Sequence, residues 1–225
     1  MRPSRLKEFY HSLKDPMSGL THFIGLLLAM VALVVLLIQA IQLQSVWHIV
    51  SYAIFGAGLI LLYSASTLYH WIPVTGKAER ILRKVDHIMI FVLIAASYTP
   101  VCLIPLRGPW GWSIFGVVWS IAFAGIALKI LYIHAPDWLA ATIYLGMGWL
   151  ALVAIYPLIM TLQPKALFWL FAGGIFYSVG ALIFALEKPR MWPSIFGSHD
   201  LFHILVMAGS ASHFWFIHHY ISQIA

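Results

Sequence analysis

In SHDLFH, residues 198–203, two histidines stand four residues apart. Helical spacing of i and i+4 puts His199 and His203 on one face, about a turn from each other. As a pair they can hold a single ion. SASTLYH, residues 64–70, sets Ser66 and His70 at the same spacing, and KVDH, residues 84–87, puts Asp86 beside His87. Three neutral imidazoles with an open fourth position make a catalytic zinc site. His70, His199 and His203 could supply these ligands, with water as the fourth; an HxxxH pair by itself also suits a proton relay or a haem. Zinc would draw the pKa of such a water from ~15.7 toward ~7 and make hydroxide available at neutral pH. Asp86 is placed to accept a hydrogen bond from that water or to act as general base. Ser66 is placed to orient a ligand or to bond a polarised carbonyl.

The elements that must position these residues follow from composition. Of 225 residues, 62% are hydrophobic and 9% charged, against about a quarter charged in a soluble domain. Apolar runs of roughly 20 residues recur, as membrane-spanning helices require. A chain this short has too little polar surface to bury so many apolar helices in water. Seven spans are expected, at Met17–Leu43, Trp47–Ile72, His87–Leu106, Trp112–Tyr132, Trp138–Leu162, Leu167–Leu186 and His199–Ile224. The fold class is therefore an all-α integral membrane protein: a seven-helix bundle after a short basic tail over residues 1–16. The first run is too long for a signal-peptide core and reads as a retained span. Asp15-Pro16 supplies a cap and a first-turn proline for it. With one cysteine, Cys102, no internal disulfide forms.

The basic residues set the orientation. One side collects Arg2, Arg5, Lys7, Lys14, Lys77, Arg80, Arg83, Lys84, Lys129, Lys188 and Arg190, and the other only Arg107 and Lys165. An N-terminus in the cytoplasm and a C-terminus outside are expected. The net charge of +6 then points to the anionic inner lipid surface and not to nucleic acid. Ser66 with His70, Asp86, and His199 with His203 all fall near the cytoplasmic face, at the depth of lipid ester and amide linkages. A membrane lipid is the expected substrate class.

Plainer roles compete for several polar residues. His22, His87 and His213 read individually as helix-to-helix hydrogen-bond partners. His213 is about 15 Å beyond His203 along the helix axis, too far to share its coordination shell. Ser66 has an alternative partner in the carbonyl four residues earlier. Asp86 reads alternatively as a cap of the third span, and Asp200 reads as a cap of the seventh. The glycines of the spans are expected to allow close helix packing.

DPMSGLTH, SASTLYH with KVDH, and HDLFH followed by SHF resemble the hemolysin III group of the progestin and adipoQ receptor (PAQR) family. The resemblance runs from about Asp15 to the C-terminus. It implies a seven-helix bacterial inner-membrane protein related to the adiponectin receptors and, more distantly, to alkaline ceramidases. It also implies zinc on His70, His199 and His203, with Asp86 joined through water and Ser66 nearby, and a link to lipid and membrane-fluidity homeostasis. The receptor members have a long cytoplasmic N-terminal domain where this sequence shows a short basic tail, so their adaptor binding is not expected to carry over. The leading expectation is a zinc-dependent hydrolase of a lipid amide or ester. The alternatives are a non-enzymatic membrane sensor or receptor with structural zinc, and a haemolytic pore.

Overall fold

The computed structural model describes residues 12–131, 137–189 and 196–224. Arg2, Arg5, Lys7 and Arg190 lie outside them. Seven helices among the described residues are long and apolar enough to cross a membrane. We label them α1 (Pro16–Gln42), α2 (Val46–Trp71), α3 (Gly76–Leu103), α4 (Pro109–Leu131), a broken fifth span made of α5 (Asp137–Gly148) and α6 (Ile155–Thr161), α7 (Pro164–Leu186) and α8 (Ser198–His219). Helices α1 to α4 pack in chain order, α7 packs on α8, and α8 returns against α1 to join the two groups. The fifth span fills the remaining side, touching α3, α4 and α7.

The burial pattern is that of a protein dissolved in lipid. Tyr52, Phe55, Phe91 and Leu36 are fully buried, while Val31, Phe123, Val153 and Phe168 are more than three-fifths exposed. Such an apolar exterior is costly in water and costs nothing against acyl chains. Alternating spans gather Lys14, Lys77, Arg80, Arg83, Lys84, Lys129 and Lys188 at one end of the bundle, hereafter the basic end. Trp47, Trp110 and Trp112 mark the other, with Trp47 and Trp112 edge to face at 6.0 Å and Arg107 over the Trp47 ring. Amphipathic rings at a bundle end suit the membrane interface.

Two elements differ from the sequence expectation. Helix α3 begins at Gly76, eleven residues before the expected His87, because the basic connection is itself helical. GKAERILRKV is rich in Ala, Arg, Leu, Lys and Glu, all strong helix formers, so charge marked where the membrane begins and not where the helix does. The expected continuous fifth span is interrupted by a 3-10 segment, Trp149–Ala154. Gly146 and Gly148 weaken the helix before the break, and Pro157 takes a backbone donor away after it. The Tyr98 hydroxyl from α3 enters the break. It accepts from the Ala151 amide at 2.9 Å and lies 2.8 Å from the carbonyls of both Met147 and Gly148.

Backbone groups freed inside a membrane need partners from elsewhere, and one hydroxyl serves three of them here. Tyr98→Phe removes it while keeping the ring. We expect the variant to be less stable by about 1–3 kcal/mol, the cost of stranding buried polar groups. Thermal unfolding in detergent measures this, and an unchanged midpoint would assign the stability of the break to packing alone.

The glycines divide. A Cβ on Gly58 would collide with Ala96 and one on Gly19 with the Trp71 ring, so these positions do permit close approach. Gly146, Gly148 and Gly174 face open space, contrary to the packing role expected for them.

Candidate metal centre

The last turn of α2 carries His70, and the first two turns of α8 carry His199 and His203. Each offers a ring nitrogen, and these atoms all lie within 4.8 Å of one another, close enough to hold a metal ion. The Nε2 atoms of His70 and His199 are 3.2 Å apart. Two nitrogens on a tetrahedral zinc with bonds of about 2.0–2.1 Å would stand roughly 3.3 Å apart, so the rings are already at ligand spacing.

The outward nitrogens are fixed by the first helix and the residue ahead of it. His70 Nδ1 is 3.1 Å from Asp15 Oδ2, and the Asp15 amide donates to the His70 carbonyl at 2.8 Å. His203 Nδ1 is 3.1 Å from the Ser18 carbonyl and 3.2 Å from Thr21 Oγ1. A carbonyl and a carboxylate only accept, so both Nδ1 atoms carry the proton and both Nε2 lone pairs are left for the interior. Carboxylate or carbonyl partners behind a ligating imidazole are the usual way of fixing its tautomer and orientation. Ser18 is held in turn: its hydroxyl donates to Asp200 Oδ1 at 2.6 Å, and Asp200 Oδ2 accepts from the Gly197 amide at 2.8 Å. The donor set and its supports fit a borderline-soft divalent cation held by neutral imidazoles.

Asp15 was expected to cap α1, yet its side chain makes no capping bond and is bound to His70 instead. Asp200 does cap α8, as expected, and also reaches α1. His22 was expected to bond across helices. It is 3% exposed and packs against α8 by stacking on His203 at 3.6 Å between centroids. His213 does make the expected helix-to-helix bond, at 3.2 Å from the Leu170 carbonyl. His87 Nδ1 bonds the Arg83 carbonyl of its own helix at 2.7 Å and lies 3.5 Å from Asp86 Oδ2, and the His87 carbonyl accepts from the Tyr144 hydroxyl of α5 at 2.8 Å.

Ser66 and Asp86 sit outside the histidine cluster but line the same cavity as His199 and His203. The Ser66 hydroxyl is buried, does not make the backbone bond expected as its plainer role, and lies beside the Asp86 carboxylate, which it supports. The cavity has a volume of about 170 Å³ and extends from these residues to His213 and Trp149. Its wall is mostly apolar with a few converging polar groups, the usual make-up of a small-molecule site.

Asp15, Ser18 and His22 were legible as a set in one respect. Spacings of three and four residues put them on a single face of α1, pointed at whatever α1 packs against. Asp15→Ala is expected to lower zinc affinity about 10–100-fold, as loss of an outer-shell partner does, with the fold retained. Competition with a chromophoric chelator measures it, and unchanged affinity would reduce the Asp15–His70 contact to a helix tie.

The family described as "Haemolysin-III related" matches residues 10–214. The chain is similar to the "Hemolysin-3 homolog" of Bacillus subtilis (strain 168), 41% identical over 207 residues that cover 92% of this chain and 94% of the relative. It is similar to "Hemolysin-3" of Bacillus cereus, 38% identical over 208 residues and 92% of each. It is also similar to "Heptahelical transmembrane protein 4" of Arabidopsis thaliana, 29% identical over 178 residues, 72% of this chain and 46% of the relative.

Proposed function

The chain belongs to the haemolysin-III-related family, and on that premise we propose that it is a zinc-dependent hydrolase of an amide or ester bond in a membrane lipid. We place it in the bacterial inner membrane with its basic end toward the cytoplasm. The observation that carries the reading is the cluster of His70, His199 and His203, two of which, His199 and His203, line a mostly apolar cavity. Such a cavity receives an acyl chain, and its polar head lies where a lipid's linkage would come to rest.

Bound zinc supplies a Lewis acid and a water that ionises near neutral pH. The chain's own residues do the rest. Asp15 and Ser18 hold two of the imidazoles neutral and aimed. Asp86, on the cavity wall, takes the proton from the attacking water and returns it to the leaving nitrogen or oxygen, the general acid–base role. The Ser66 hydroxyl, beside Asp86, donates to the carbonyl oxygen as negative charge builds on it. The apolar wall keeps bulk water from the reacting carbonyl.

The test is incubation of purified protein with ceramides and phospholipids, with and without a chelator. Chelator-sensitive release of fatty acid is the expected result, and no release from any lipid by metal-loaded protein would overturn the activity. One observation favours a second reading, a non-enzymatic sensor. The histidines and their partners tie together α1, α2 and α8, so a bound metal would staple three helices. In that case His70→Ala lowers metal content and thermal stability together, in a protein that hydrolyses nothing.

A further inference from the structure

The cavity has a second polar end. His213 lies on the same helix as His203, ten residues on, or about 15 Å along the axis. Its Nε2 lies 3.2 Å from the Leu170 carbonyl. A carbonyl only accepts, so Nε2 carries the proton and Nδ1 of the neutral ring is an acceptor. The Cδ2–Nε2 edge of the ring lies against Gly173, which leaves Nδ1 on the opposite edge. No described residue donates to it.

His213 lines both the main cavity and a smaller neighbouring one of about 50 Å³. Gly148 and Gly174 line the same two spaces, and a Cβ on either would meet nothing within 4 Å. Beside the imidazole there is therefore open room, bounded by apolar wall. A lone acceptor in such surroundings is unfavourable until a donor reaches it.

We propose that this end of the cavity is a subsite for a hydroxyl group carried near the middle of a lipid acyl chain. The hydroxyl donates to His213 Nδ1, and Gly148 and Gly174 leave space for the chain to pass. The subsite rests on the reading that a lipid chain occupies the cavity with its head beside His199 and His203. A separation of about 15 Å is the reach of about a dozen methylene groups, which sets the hydroxyl at mid-chain. The specificity is physical: a plain chain leaves the acceptor unmet, and a site built for a hydroxyl discriminates against the analogue that lacks it.

The experiment uses the full chain in phosphatidylcholine nanodiscs and measures displacement of a fluorescent fatty acid by stearate and by a mid-chain hydroxystearate. Hydroxystearate is expected to bind about tenfold more tightly, as one hydrogen bond to an acceptor on an apolar cavity wall warrants. His213→Phe should abolish the preference while leaving metal content unchanged. Gly174→Leu keeps the imidazole and its bond to Leu170 but fills the space, and should abolish the preference as well. It decides the matter if the phenylalanine variant does not fold. Equal affinity of the two chains for the unaltered protein overturns the subsite and leaves the hydrolase standing. Displacement by neither overturns both, and a preference that survives in a folded variant moves the hydroxyl away from His213.

Discussion

Protein purified without added chelator is expected to carry about one zinc per chain, and His203→Ala to carry almost none, since three ligands with an open position are the fewest that make such a site. The effect is expected to be large because His203 is the most embedded of the three ligands. It is 2% exposed, stacked on His22, and held at its outer nitrogen by Ser18 and Thr21. Alanine leaves two ligands and removes the ring that joins α8 to α1. Mass spectrometry of washed protein gives the metal content, and circular dichroism shows whether helices persist. Zinc retained at full occupancy in a folded His203→Ala protein would disprove the three-histidine site. Absence of metal from the unaltered, folded protein would remove the basis of the hydrolase reading and favour a sensor or a pore.

The second large effect separates chemistry from binding. Asp86→Asn keeps size and polarity but cannot take a proton. The carboxylate lies on the cavity wall and outside the ligand cluster, so metal content should stay at the unaltered level. Lipid hydrolysis should fall about 10²–10⁴-fold, the usual contribution of a positioned general base. The pairing of the two measurements gives the prediction its force. Loss of metal in Asp86→Asn would make the aspartate a ligand, and undiminished turnover would take it out of the mechanism.

The two variants also show what the sequence could reveal. Seven spans were legible because an apolar run of membrane length has few other meanings, and His199 with His203 because a four-residue interval fixes a shared face whatever surrounds it. His70 became a partner once the alternation of spans brought the end of α2 to the start of α8. What stayed hidden depends on contacts between distant segments. Asp15 beside Pro16 had a sufficient local explanation as a cap, and only the fold shows that its carboxylate is given to a residue 55 positions away. His22 stood out in the sequence only for lying near the same membrane face as the site, and the fold shows its ring lying flat on His203. The break in the fifth span was hidden for a similar reason. Glycines and a proline weaken many membrane helices, and the hydroxyl that makes this break tolerable comes from Tyr98 on another span.

The ties between Ser18 and Asp200 and between Asp15 and His70 also set an order of assembly. A membrane chain is inserted as it is synthesised, N-terminal segments first. The first two spans can therefore clasp early, through Asp15 and His70, and present one imidazole to an unfinished wall. The other two ligands, and the aspartate that anchors Ser18, arrive together on the last helix. Until that helix docks, the nascent chain holds a single ligand and cannot retain an ion through this site. Any metal loading would thus wait on docking of the last helix, and an ion held there would report that α2 and α8 have met.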